Sequence, residues 1–334
     1  MFLNKRFSIY KNKKVLITGH NGFVGSWLTA SLLKLESKVF GISLKNQNRA
    51  FKFIVNKKNP NLVEFIQDIN DFEKLNLIIK QIKPDFIFHL AAQPIVKIGY
   101  EQPLNTFKTN ILGTSNVLNS ILQNKIKNSI IVTSDKVYLN REYKKFFNEN
   151  SEIGGDDIYS ASKACTEIVT RSFFLSFKEK FNHLDTVRAG NIIGGGDFGI
   201  SRLLPDIFES IHLKRTLNIR SPHSIRPWQN VLDVINAYLL LPVYQKKRVK
   251  KFDFWNIGPD KKESNIKVID IVNKLRKVNS TINIKININI KKKSFKESKF
   301  LFLENKKIKK IGWKNKKSIN SSLFEASKWY ELYY

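Results

Sequence analysis

Short apolar runs alternate with helical periodicities through the first half of the chain. "KKVLITG" (13–19) reads as a strand, "VGSWLTASLLKL" (24–35) as a helix and "KVFGISL" (38–44) as a second strand. A third strand, "LVEFIQDI" (62–69), precedes "DFEKLNLIIKQI" (71–82), whose apolar residues recur every three to four positions, as on one helix face. "DFIFHLAA" (85–92) leads to a long helix from Pro103 to Gln123. "SIIVTSD" (129–135) follows, then a helix from Ile158 to Phe177, and "LDTVRAGNII" (184–193) is the sixth strand. The strands are apolar continuously rather than alternately, which implies burial on both faces. With helices between them, the expected fold is α/β, a doubly wound parallel sheet. Beyond residue 194 the alternation gives way to "GGGD", proline-marked turns and shorter elements, so a smaller C-terminal lobe is expected there.

The first turn after the first strand carries the most informative glycines. "LITGHNGFVGSW" puts Gly19, Gly22 and Gly25 between the strand and its helix. A sharp turn, close approach of a pyrophosphate to the backbone and tight helix–strand packing each exclude a Cβ, and the helix N-terminus offers free N–H groups. The core is therefore expected to be Rossmann-type. Residues 1–188 form the NAD-binding domain and 189–334 mainly the substrate lobe, with returns to the first domain near 225–260. The second strand ends in "SLKNQ": Lys45 stands where an acid for the ribose 2′-OH is often found, and Arg49 follows, so a 2′-phosphate would be tolerated. Asp68 and Ile69, after the third strand, are candidates for adenine contacts, with helix capping by Asp68 or Asn70 as the structural alternative.

Charge and composition change this picture little. Lys and Arg number 58 against 28 Asp and Glu, a formal net charge of +30. Lys, Asn and Ile are raised together, as an overall compositional bias produces, and no nucleic-acid partner is implied. The densest stretch, 285–317, holds thirteen Lys and two Glu but is interspersed with Phe, Ile, Leu and Trp, so it reads as a folded segment with a solvated basic surface. No apolar run reaches the ~18 residues of a membrane span. The opening "MFLNKRFSIYKNKK" runs straight into "VLITG" without the apolar region of a signal peptide, and Cys165 is the single cysteine. The expectation is a cytoplasmic protein with no membrane partner. No His, Cys and Asp cluster shows metal-ligand spacing, so no metal is expected.

The chemistry concentrates in two stretches. "DDIYSASKACTE" carries Tyr159 and Lys163 four residues apart, on one face of a helix. A phenol has a pKa of ~10, and a neighbouring ammonium is expected to lower it toward use as a base. "TSDKVYLN" (133–140) ends an apolar run in Ser134, Asp135 and Lys136, an acid beside a base. A surface ion pair is the bland reading of that pair, worth under ~1 kcal/mol.

Together "TGHNGFVG", "HLAAQP" (89–94), "TNILGT" (109–114), "TSDKVY" (133–138), "YSASK" (159–163) and "VRAGNIIGGGD" (187–197) resemble the extended short-chain dehydrogenase/reductase family over nearly the whole chain. "IRPWQNVLD" (225–233), "WNIGP" (255–259) and "IGW" (311–313) extend the match, and within the branch the nucleotide-sugar 4,6-dehydratases are most similar. The resemblance implies bound NAD, held by the glycines with Asn21, Phe23, Leu90, Ala91, Ala92, Tyr159 and Lys163. It implies a nucleotide-sugar substrate, CDP-glucose first among them, with Asn191, Arg202, Leu203 and Arg226 contacting it. In the implied chemistry Tyr159 and Lys163 oxidise C4, Ser134 holds the same oxygen, Lys136 removes the C5 proton and Asp135 protonates the departing C6 hydroxyl. Asn110 would anchor the site's framework, and a homodimer through helices near 103–123 and 158–177 is the family's expectation. The alternatives are a dTDP-, UDP- or GDP-sugar dehydratase or a 4-epimerase on the same scaffold. An epimerase has no use for the Asp135–Lys136 pair. A basic binding protein that had lost catalysis would not keep Ser134, Tyr159 and Lys163 together.

Overall fold

The structure is a computed structural model describing residues 5–45, 49–245, 251–282, 284–288 and 298–334. Seven parallel strands form its main sheet: β1 (Lys14–Thr18), β2 (Lys38–Ser43), β3 (Leu62–Ile66), β4 (Phe86–His89), β5 (Asn128–Val132), β6 (His183–Ala189) and β7 (Phe252–Ile257). Their order is β7-β6-β5-β4-β1-β2-β3. The order reverses between β1 and β4, where Thr18 lies opposite His89. Ligands of such sheets bind in the crevice beyond the strand ends at this switch point.

Helices cover both faces. α1 (Phe23–Lys34) and α5 (Val231–Gln245) bury Leu28, Leu32, Val234 and Leu239 on one side. α2 (Phe72–Ile82) and α3 (Gly113–Gln123) bury Leu75, Ile79, Val117 and Leu118 on the other, where α4 (Ile158–Ser176) adds Phe174. The central strands are buried on both faces, as their continuous apolarity predicts. The edge strand β3 is not: Ile66 is 72% exposed. A second apolar cluster gathers Leu204, Ile207 and Phe208 with Ile271, Leu275, Leu323 and Tyr330. It is assembled from helices Leu203–His212, Val268–Val278 and Ile319–Tyr333.

Three elements differ from the sequence expectation. The sixth strand ends at Ala189, and Asn191–Ile193 pairs instead with Trp228–Asn230. The break falls at Gly190, where a Cβ would sit 2.5 Å from Pro227, so only glycine lets the two segments cross. The strand "SIIVTSD" stops at Val132, leaving Thr133–Asp135 outside the ladder. The long helix from Pro103 to Gln123 contains a π-helical turn at Lys108–Leu112, a distortion often found at functional sites. Of the basic stretch 285–317, residues 289–297 lie outside the described residues; beyond them Leu303, Ile308 and Trp313 are buried, as a folded segment requires. No helix among the described residues is long and apolar enough to cross a membrane.

Candidate active site

The glycine loop meets the demands placed on it. Gly19 has φ +74°, and a Cβ there would lie 2.8 Å from the Ala91 nitrogen. A Cβ on Gly25 would come within 2.0 Å of the Gly19 carbonyl oxygen. Gly22 is less constrained, 3.3 Å from the same oxygen, and is the N-cap of α1 with no side-chain hydrogen bond. The first N–H groups of α1 thus keep their capacity for an anion. Asn21 Nδ2 donates to the Leu44 carbonyl at 3.1 Å, tying the loop to the end of β2. Ala91 N donates to Thr18 Oγ1 at 3.3 Å, bringing the Leu90–Ala92 segment against the loop.

A cleft of about 370 Å³ opens beyond the strand ends. Ser134, Asp135, Lys136, Tyr159 and Lys163 line it, as do Asn191, Arg202, Leu203 and Arg226, with Phe23, Leu90 and Ala92 on the loop side. After β5 the chain enters a single 3-10 turn, Asp135–Val137, capped by Ser134, whose Oγ accepts from Lys136 N at 3.2 Å. That turn presents three consecutive polar side chains to one cavity. Ser134 Oγ also donates to Asp135 Oδ1 at 3.0 Å, while buried Asp135 Oδ2 has no hydrogen-bond partner.

Burial governs the protonation of these groups. It raises the Asp135 carboxyl above the usual range, against the opposing charges of Lys136 and Arg226 and the Ser134 hydrogen bond. Lys163, buried at 5% exposure, donates to the Val132 carbonyl at 3.4 Å and is pushed down to about 8 by desolvation. Tyr159 departs from the sequence expectation. Desolvation pushes it up to about 12, and the groups that pull it down are Ser134 by hydrogen bond and Arg202 by charge. The low dielectric that sharpens a charge interaction also penalises the phenolate, and here the second effect wins.

Buried polar networks hold this turn from below. Asn110, in the π turn, accepts from Gln93 N at 2.8 Å and donates to Gln93 O at 3.1 Å and Ser162 Oγ at 2.8 Å, the anchoring its motif implies. Arg188 on β6 meets Glu167 on α4 through two bonds, Nε–Oε1 at 3.0 Å and Nη2–Oε2 at 3.1 Å. Thr133 and Thr186 donate to the same carboxylate at 2.5 and 2.7 Å, and Arg188 Nη1 donates to Tyr138 Oη at 2.9 Å. Sequence reading missed this pair. Its one signal was a charge at the centre of a doubly buried strand, which must be paired. His89 is a packed strand histidine as read: Thr18 and Thr114 hydroxyls flank its ring nitrogens at 2.6 and 3.0 Å.

Other anticipated residues have partners within the protein. Asp68 Oδ1 accepts from Asn70 N at 2.9 Å, and Ile69 is buried with its side chain against Gly113. Neither Asp68 nor Asn70 caps α2; Asp71 does, accepting from Lys74 N at 3.2 Å. Arg49 is turned to the C-terminus, donating to Tyr334 Oη at 3.1 Å and lying 4.0 Å over the Phe198 ring. That contact, 285 residues away in sequence, engages one of the two cations expected at a 2′-phosphate and leaves Lys45, which is exposed. Arg202 pairs with Asp197 at 3.1 and 3.2 Å. Tyr238 and Asp206 also line the cleft and were not anticipated.

A doubly wound sheet with a glycine loop at its switch point and a Ser–Asp–Lys turn facing a Tyr–Lys helix is the architecture of the extended short-chain dehydrogenases. Residues 16–325 match the GDP-mannose 4,6 dehydratase family, and the chain belongs to that family. It is 40% identical over 278 residues to the CDP-glucose 4,6-dehydratase of Salmonella typhimurium, covering 81% of this chain and 76% of that protein. Among solved structures, Thermotoga maritima UDP-glucose 4-epimerase with UDP-glucose superposes with a TM-score of 0.83 at 21% identity, covering 96% of this chain and 99% of the other. The dTDP-glucose 4,6-dehydratase of Bacillus anthracis in complex with NAD superposes with a TM-score of 0.78 at 21% identity, over 96% and 97%.

Proposed function

We propose that this chain catalyses the NAD-dependent 4,6-dehydration of CDP-glucose to CDP-4-keto-6-deoxyglucose, a hydro-lyase step of deoxysugar biosynthesis. The observation that carries the reading is Asp135: a buried acid with raised proton affinity and an unpartnered Oδ2, beside Lys136 and in one cleft with Tyr159 and Lys163. The 40% identity to a CDP-glucose 4,6-dehydratase supports the substrate.

The loop fits a dinucleotide, because Gly19 and Gly25 leave no room for a Cβ and α1 points uncapped N–H groups outward. Gly19, Asn21, Gly22, Phe23 and Gly25 would hold it, with Leu90–Ala92 and the Tyr159–Lys163 face beside it; Asp68 and Ile69 remain at its adenine end only as a proposal. NAD, when bound, supplies a hydride acceptor for C4 and a hydride donor for C6. Tyr159 takes the O4 proton, its phenolate favoured by Ser134 and Arg202. Ser134 holds O4. The resulting 4-ketone acidifies the C5 proton, which Lys136 removes as the neutral amine, and Asp135 gives its proton to O6 so that water departs; Lys136 returns a proton to C5 as C6 is reduced. Asn191, Arg202, Leu203 and Arg226 contact the nucleotide diphosphate, for which guanidinium is the natural partner.

The same reading gives a cofactor domain over 1–188 and a substrate lobe mainly over 189–334, with returns to the first domain near 225–260, in a cytoplasmic enzyme. It also gives a homodimer through the helices near 103–123 and 158–177, where Leu104, Leu112, Ile168 and Leu175 are exposed. A 4-epimerase on this fold is the second reading, favoured by the superposition on the Thermotoga enzyme.

Incubation with CDP-, dTDP-, UDP- and GDP-glucose, scoring the 4-keto-6-deoxy product, tests the proposal. CDP-glucose is expected to react fastest. Turnover of another sugar nucleotide alone replaces the substrate, and C4 inversion without water loss replaces the reaction. Lys136→Ala is expected to end solvent-deuterium incorporation at C5; normal incorporation would remove Lys136 as the base.

A further inference from the structure

Asp206 has no place in the chemistry above, yet it lines the cleft. It sits in the first turn of helix Leu203–His212, where its backbone N–H donates to the Arg202 carbonyl. Its carboxylate makes no hydrogen bond or ion pair with any described residue. The nearby cations are engaged elsewhere: Arg220 donates to the Ser201 carbonyl at 3.2 Å, and Arg215 pairs with Glu209 at 2.7 Å. A half-buried carboxylate with no hydrogen bond among the described residues, attracted only at longer range by Arg220 and Arg215, is in place to accept from a ligand.

Its position along the cleft says what. The charges Asp206 senses are Arg220, Glu209, Arg215 and Asp197, all from 197–220. Asp206 stands on helix Leu203–His212, whose Leu204, Ile207 and Phe208 pack in the second apolar cluster with Leu217 and Ile219, and so marks the second-cluster end of the cleft. Sugar, diphosphate and base follow one another, so the base lies farthest from the hydroxyl chemistry. Leu217, Ile219 and Trp228 of the same cluster also line the cleft, with apolar surface suited to a planar ring.

We propose that Asp206 reads the base of the sugar nucleotide, accepting a hydrogen bond from the 4-amino group of cytosine and repelling the 4-carbonyl of uracil or thymine. The proposal rests on the function given above and names the residue that sets its substrate preference. Cytosine offers a donor at the position where the other pyrimidines offer an acceptor. An ionised carboxylate is acceptor-only, so the same group attracts one base and rejects the others. Desolvation raises its pKa to about 6, which leaves it ionised above neutrality. A first-turn acid also suits a helix N-terminus, but that role is blind to the base.

Dissociation constants of CDP, UDP and dTDP, measured by calorimetry at pH 8, test this directly. The wild-type protein is expected to prefer CDP by about tenfold or more, and Asp206→Asn, which can donate to a 4-carbonyl, to lose or reverse that preference. With CDP-glucose the variant should show a raised KM and little change in kcat. An unchanged CDP:UDP ratio in Asp206→Asn overturns the proposal, as does a wild-type protein that binds all three alike. If the variant does not fold, CDP and its N4,N4-dimethyl derivative are compared on the wild-type protein. About tenfold weaker binding of the methylated ligand is expected, and equal binding overturns the proposal. A preference for CDP that depends on Asp206, in a protein that dehydrates no sugar nucleotide, would leave this inference standing while the proposed reaction fell.

Discussion

The groups beneath the cleft and the groups facing it are built to opposite rules. Beneath it, Asn110, His89 and the Glu167–Arg188 pair have their hydrogen-bonding atoms satisfied by the protein itself. On its face, Asp135 Oδ2 and Tyr238 Oη are buried with no hydrogen-bond partner among the described residues. A buried polar atom left open costs on the order of 1–3 kcal/mol, which a ligand that supplied the partner would recover. The contrast separates residues that hold the site from residues that act in it.

Substitutions on the two sides should therefore fail differently. The largest effect is expected from Asp135→Asn, which keeps the shape and removes the transferable proton: turnover falls about 10²–10⁴-fold while thermal stability holds or rises. In the wild type the same proton makes turnover decline as pH rises through the elevated Asp135 pKa, and Asp135→Asn should lose that limb of the pH–rate profile. A variant that loses stability and turnover together would place Asp135 with the framework. Next comes Glu167→Gln, which strands a buried guanidinium and is expected to cost about 3–5 kcal/mol in chemical denaturation. A loss below about 1 kcal/mol would show that the pair is not needed by the fold.

The smallest effect belongs to His89, held at about 3 by burial and by the charge of Lys163. Its folded pKa lies below the unfolded value of ~6.5, so below that pH the unfolded chain binds a proton the native state does not. Its contribution to stability is complete above about 6.5 and declines by about 1.4 kcal/mol per pH unit toward 3. Unfolding measured at pH 7 and pH 5 should show a shallower acid loss in His89→Asn. Parallel loss in both proteins would contradict the buried neutral ring.

What the sequence made legible follows the same division. The glycine loop, the strand pattern and the Tyr159–Lys163 face are local, set by spacings of three and four residues that survive without knowledge of the rest. The framework is not local: Glu167 and Arg188 lie on different elements, 21 residues apart, and only the fold joins them. Arg49 misled for that reason, since its partner is the last residue of the chain. Tyr159 misled differently. Spacing showed a cation nearby but not the burial that outweighs it. Asp206 carries no pattern at all, because an acid in the first turn of a helix is commonplace.

The chain's route between the two apolar clusters has a practical consequence. The sheet core takes in residues up to Ala189, then Val231–Leu241, Trp255, Ile257, Ile308 and Trp313, while the second cluster takes in Ile193–Trp228, Ile266–Ile284 and Ile319–Tyr330. Swapping the base-facing half for that of a relative cannot be done with one splice. It requires three separate inserts, and the edge strand β7 and helix α5 must be left behind with the recipient. A chimera joined near Ala189 alone would import foreign versions of both, and its sheet would have to accept an edge strand and a covering helix selected for another core.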